Sequence, residues 1–109
     1  MSNVQIMTGN SAAAYGARLC KVQVISAYPI TPSTSVTETI ANWVERGELK
    51  AEYVRVESEH SVMTVCVAAS TVGARVFTST SSHGLLYMHE QLHWAAGSRL
   101  PIVMCCINR

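Results

Sequence analysis

Apolar and polar positions along this chain change period several times, and each change marks an element. Asn10 precedes an alanine-rich stretch, about 11–19, in which Ala13, Ala14, Ala17 and Leu19 form the expected packed face of a helix. Val22, Val24 and Ile25 then lead a β-branched run at 22–27 that reads as a buried strand. From 34 to 46, Val36, Ile40, Trp43 and Val44 recur at helical spacing, and Gly47 is the expected stop. Residues 53–56 predict a second strand, and about 59–71 a helix dense in small residues with Gly73 closing it. Residues 75–79 predict a third strand, 84–96 one long helix and 101–107 a fourth strand.

Strands separated by helices of this length imply βαβ units. The expected fold class is therefore α/β, an open, mostly parallel sheet with helices on both faces. Right-handed crossovers place the loops after all four strands on one edge, at 28–31, 57–60, 80–84 and 107–109. Open sheets of this kind bind ligands there.

Composition sharpens the picture. Hydrophobic residues make up 49% and charged residues 14%, apolar enough to imply surfaces that face other protein. A net charge of +1, with no basic run, argues against non-specific nucleic-acid binding. Cys20, Cys66, Cys105 and Cys106 lack the spacing of zinc or iron–sulfur ligands and read as free thiols in a reducing compartment. Neither a secretory leader nor a membrane span is visible, so the expected location is cytoplasmic. The 109 residues fit one domain, 1–109, and end just after a strand, as expected of the first segment of a longer polypeptide.

Candidate chemistry lies on the ligand edge. In Ala27-Tyr28-Pro29-Ile30-Thr31-Pro32-Ser33-Thr34 the prolines forbid regular continuation, and Ser33, Thr34 and Ser35 offer N-cap oxygens; Ser35 and Glu38 have capping-box spacing. In Glu57-Ser58-Glu59-His60, Ser58 is a natural N-cap. Glu59 is either a first-turn carboxylate facing the helix dipole or a catalytic acid, since a carboxyl in apolar surroundings can pass a proton to a ring nitrogen. His89-Glu90-Gln91-Leu92-His93 matches the HExxH pattern of zinc hydrolases, but no suitable third ligand follows. The hydroxyl run 78–82 before His83-Gly84 reads as a pocket wall, with Gly84 allowing a ligand ring to approach the backbone. Arg109 is either a solvated charge or a guanidinium that grips a carboxylate. There is no GxGxxG and no P-loop.

Taken together, several motifs resemble the opening of the α chain of pyruvate:ferredoxin oxidoreductases. They include Gly9-Asn10, Ala27-Tyr28-Pro29-Ile30-Thr31-Pro32, Val56-Glu57-Ser58-Glu59-His60-Ser61, Gly73-Ala74-Arg75, Thr80-Ser81-Ser82, Met88-His89-Glu90 and Arg99-Leu100-Pro101, in order along nearly the whole chain. The resemblance implies a thiamine-diphosphate domain of the pyrimidine-binding type. The implied enzyme is a 2-oxoacid:ferredoxin oxidoreductase that oxidatively decarboxylates a 2-oxo acid, pyruvate first, to acyl-CoA and CO2 while ferredoxin is reduced. It further implies that Glu59 hydrogen-bonds the pyrimidine ring nitrogen and drives the amino–imino shift that activates the cofactor. Thr31 and Arg109 would hold the substrate carboxylate, and the Met-His-Glu run would belong to a packed helix instead of a metal site. Partner chains, of β, γ and δ type, would hold the diphosphate with Mg2+ and the iron–sulfur clusters, because the Gly-Asp-Gly segment and cluster cysteines are absent here. Alternatives are a non-catalytic scaffold subunit of such a complex, or the same chemistry on 2-oxoglutarate or an aryl glyoxylate. His83 stands where relatives carry glutamine and bears on which oxo acid fits.

Overall fold

The computed structural model describes residues 4–108, so the expectation for Arg109 lies outside the described residues. Four strands, β1 (Val24–Ala27), β2 (Glu52–Arg55), β3 (Val76–Thr80) and β4 (Ile102–Cys106), form one parallel sheet in the order β2-β1-β3-β4. The helices are α1 (Gly9–Leu19), α2 (Thr34–Glu45), α3 (Glu59–Thr71), α4 (His83–Tyr87) and α5 (His89–Gly97). From β1 the chain travels outward through α2 to β2, then returns across β1 through α3 to β3. Right-handed crossovers in opposite directions put α2 and α3 on opposite faces. The core divides accordingly. Ala14, Ala17, Val36 and Ile40 pack on Ile25 and Phe77, whereas Val62, Met63, Cys66, Met88 and Ala95 pack on Val76.

Side-chain hydroxyls cap α1 and α3, whereas α2, α4 and α5 start without a side-chain cap bond. Thr8 caps α1, its hydroxyl accepting from Ser11 N at 3.1 Å, so Asn10, expected just before the helix, lies in its first turn. Leu19, expected in the core, is 66% exposed, because the buried face of α1 narrows to Ala14 and Ala17. The N-cap of α2 is Ser33, whose hydroxyl donates back to Ile30 O at 2.8 Å and not to the helix. Ser35 is thus already inside the first turn, and the capping box with Glu38 does not form. The expected long helix 84–96 is two helices: the backbone leaves helical geometry at Met88 (φ −92°, ψ 5°), whose side chain is fully buried in the α3 core. No helix among the described residues is long and apolar enough to cross a membrane.

Candidate functional site

The carboxyl ends of β1 and β3 part company. Their ladder holds only Val24↔Val76 and Ile25↔Phe77, while β1 pairs with β2 through Ala27 and β3 with β4 through Thr80. Beyond that point the Thr78 hydroxyl, donating to Ser26 O at 2.7 Å, ties the two strands together. The opening lies at the topological switch point, the crevice where such sheets bind ligands. It is flanked by the loop after β1, the N-terminus of α3 and the β3–α4 turn.

Ser58 is extended (φ −161°) and its hydroxyl accepts from Ser61 N at 3.3 Å, which starts α3 at Glu59. The two carboxylates beside this cap part in opposite directions. Glu57 is exposed and accepts a short hydrogen bond from the Ser61 hydroxyl, which pulls its pKa down. Glu59 turns inward and is 9% exposed. The ion pairs of the described residues use Glu48 and Glu90, so Glu59 is buried without a cation. Its neighbours are Thr80 and Gly84. A methyl group on Gly84 would overlap Thr80 Oγ1 and come within 3.1 Å of both Cγ and Oε1 of Glu59. The space beside Gly84, expected to admit a ligand ring, is therefore filled by the carboxylate and the threonine hydroxyl. Thr80 itself was not singled out in the sequence; its signal was its place in the hydroxyl run, at the end of a strand.

Thr31 is exposed on the same edge, in the turn that leads to α2, and its bond to Pro32 is cis. This turn is held from a distance: Asn10 of α1 donates to Pro32 O at 2.8 Å and to the Ser35 hydroxyl at 2.7 Å. Asn10 thus acts as a loop anchor, which no local pattern reveals. On the other side of the crevice, Ser81 donates to Ile107 O at 2.6 Å and fixes the β3–α4 turn that carries exposed His83.

Rival sites do not assemble. Glu90 reaches back to His60 of α3 at 3.3 Å, while His89 and His93 pair with each other at 3.0 Å. No group of three metal-ligating side chains exists among the described residues. A groove of about 780 Å³ between α1 and the β3–β4 face is lined by Gln23, Gly73 and Pro101 at the opposite, amino-terminal edge of the strands. Its size reflects an uncovered sheet face, and neither Glu59 nor Thr31 lines it. Cys66 is buried, and burial pushes its thiol up to about 12, so it is not a nucleophile.

Comparison with known proteins decides the family. Residues 15–109 match the sequence model described as "Pyruvate flavodoxin/ferredoxin oxidoreductase, thiamine diP-bdg". This chain belongs to that family. It is 59% identical over 105 residues to ketoisovalerate oxidoreductase subunit VorA of Pyrococcus horikoshii, covering 96% of this chain and 27% of the relative. It is 56% identical over 109 residues to pyruvate synthase subunit PorA of Methanocaldococcus jannaschii, covering 100% of this chain and 28% of the relative. A solved 2-oxoglutarate:ferredoxin oxidoreductase from Magnetococcus marinus, with 2-oxoglutarate, coenzyme A and succinyl-CoA bound, superimposes with a TM-score of 0.90. That likeness has 33% identity and covers 99% of this chain and 18% of the other. The chain thus spans little more than a quarter of the length of these curated relatives.

The oxidoreductase family implies thiamine diphosphate, and the crevice suits one half of it. A buried carboxylate without a cation, Glu59, suits a flat heterocycle with ring nitrogens. The diphosphate half finds no metal-ligating cluster among the described residues.

Proposed function

We propose that this chain is the pyrimidine-binding domain, residues 1–109, at the start of a longer α chain in a 2-oxoacid:ferredoxin oxidoreductase. The observation that carries the reading is Glu59, buried without a cation at the switch-point crevice and packed on Thr80 and Gly84. When bound, thiamine diphosphate supplies the nucleophilic carbon that adds to the 2-oxo group and the electron sink for decarboxylation. This chain holds the pyrimidine: Glu59 keeps a proton in place at the ring nitrogen, and the Thr80–Gly84 wall keeps water from that carboxyl. The Thr31 hydroxyl, exposed on this edge, and the Arg109 guanidinium bind the substrate carboxylate. A partner chain binds the diphosphate and Mg2+, and further β-, γ- and δ-type chains carry the iron–sulfur clusters and pass electrons to ferredoxin, with coenzyme A as acyl acceptor. The assembly works in the cytoplasm.

The substrate is a 2-oxo acid. Pyruvate is the first choice, on the strength of the pyruvate synthase relatives. The ketoisovalerate relative, at 59% against 56%, adds a branched-chain oxo acid to the panel. The test uses the intact complex, assayed for bound thiamine diphosphate and for ferredoxin reduction with pyruvate, 2-oxoisovalerate, 2-oxoglutarate and an aryl glyoxylate. Glu59→Gln is expected to lower turnover by at least ~10²-fold with the complex intact, the usual cost of an essential acid–base group. Near-normal turnover in that variant would remove the assignment. A complex that carries no thiamine diphosphate and reduces ferredoxin with none of the four acids would instead point to a scaffold subunit.

A further inference from the structure

Thr80 ends the central strand β3 with 1% exposure, and its hydroxyl has no hydrogen-bond partner. Buried polar groups are rarely left so, and each one calls for an explanation. Its neighbours in the hydroxyl run are committed: Thr78 donates to Ser26 O, and Ser81 donates to Ile107 O. The backbone of Thr80 is committed too, since its carbonyl accepts from Ile107 N at 2.9 Å. Two other buried hydroxyls are unpartnered, on Ser70 and Ser79. Ser79 points to the opposite face of the sheet, and Ser70 lies eleven residues along α3 from Glu59, about 16 Å at the helical rise. Of the three, Thr80 is the one that shares the bare side of Gly84 with a carboxylate. Its Oγ1 and Glu59 Oε1 converge on the one point that the missing side chain of Gly84 leaves open.

We propose that Thr80 is a positioning residue for Glu59: once the cofactor ring is bound, its hydroxyl, unpartnered in this structure, turns to donate to one carboxyl oxygen and so aims the other at the ring nitrogen. The inference rests on the function proposed above and deepens it. A donor on one oxygen fixes the plane of the carboxyl group, and Gly84 is required because any side chain there would wedge the pair apart. Thr80 itself touches neither substrate nor cofactor.

The test compares Thr80→Val, Thr80→Ser, Glu59→Gln and the double variant Thr80→Val/Glu59→Gln in the complete complex. The readouts are bound thiamine diphosphate, exchange of the cofactor C2 proton for deuterium followed by NMR after acid quench, and kcat and KM for the 2-oxo acid. Thr80→Val is expected to keep its cofactor and KM while C2 exchange and kcat fall roughly tenfold, the scale of one hydrogen bond to a charged group. Thr80→Ser restores both, and Thr80→Val adds nothing in the Glu59→Gln background. Wild-type exchange in Thr80→Val, or an equal loss in the Glu59→Gln background, overturns the proposal. Should Thr80→Val and Thr80→Ala both fail to assemble while Thr80→Ser assembles, the hydroxyl has a folding role and the proposal also falls. Wild-type exchange in Glu59→Gln would instead sink the parent reading.

Discussion

Ser82 sits at φ 48°, ψ −122°, a backbone region that glycine enters freely and that costs other residues about 1–3 kcal/mol. The turn is pinned from both sides, by Ser81 on Ile107 O and by the start of α4 at His83, so the residue cannot relax. Ser82→Gly is therefore expected to stabilise the fold by roughly 1 kcal/mol relative to Ser82→Ala. Both variants lose the 3.3 Å contact between the Ser81 and Ser82 hydroxyls, so their difference isolates the backbone. Urea unfolding midpoints that coincide for the two would refute the strain argument. In the sequence this turn read only as part of a hydroxyl-rich pocket wall, because a positive φ leaves a mark only when glycine occupies it. Glu59 was legible for the opposite reason: Ser58 announces the start of α3, and the strand before it fixes the edge. The partnership with Thr80 was not, since it depends on strands β2 and β3 lying on either side of β1.

The elements themselves were legible wherever one periodicity ran uninterrupted. The α3 bounds agree with the sequence reading, and each strand appears within one or two residues of its expected place. The split at Met88 was hidden, because an apolar residue at a helix-compatible position does not reveal that its backbone turns inward. Contacts between elements were hidden as well, and Asn10 shows why they matter. Its side chain reaches from α1 across 22 residues to the turn that carries Thr31, and across 25 to Ser35. Asn10→Ala removes both bonds and is expected to cost about 1–2 kcal/mol at roughly 1 kcal/mol per neutral hydrogen bond. Hydrogen exchange should then speed up between Ile30 and Val36, where Ser33 N and Val36 N make the turn's own bonds, and stay unchanged in β3. Uniform acceleration through the sheet would show Asn10 supporting the whole fold and not the loop.

At the scale of the whole molecule, stability depends on pH through thiols that burial keeps neutral. Cys66 lies fully buried between α3 and the sheet, and desolvation raises its pKa from 9.0 to about 12. Below pH 9 the thiol is protonated in both folded and unfolded chains, so its contribution to stability is complete there. Between 9 and about 12 only the unfolded chain ionises, and the equilibrium moves toward unfolding. The slope from one such group is about 1.4 kcal/mol per pH unit. Burial raises Cys105 as well, so it adds a smaller share of the same sign; Tyr53, also raised by burial, joins only above its ordinary 10.0. The window from pH 9 to 10 therefore isolates the thiols. Urea unfolding under reducing conditions, followed by tryptophan fluorescence, should show a steep fall in stability across it. Cys66→Ala should start lower, because it leaves a small cavity, yet lose most of that slope. A slope in Cys66→Ala as steep as in the wild type would show that the buried thiol is not what the rising pH attacks.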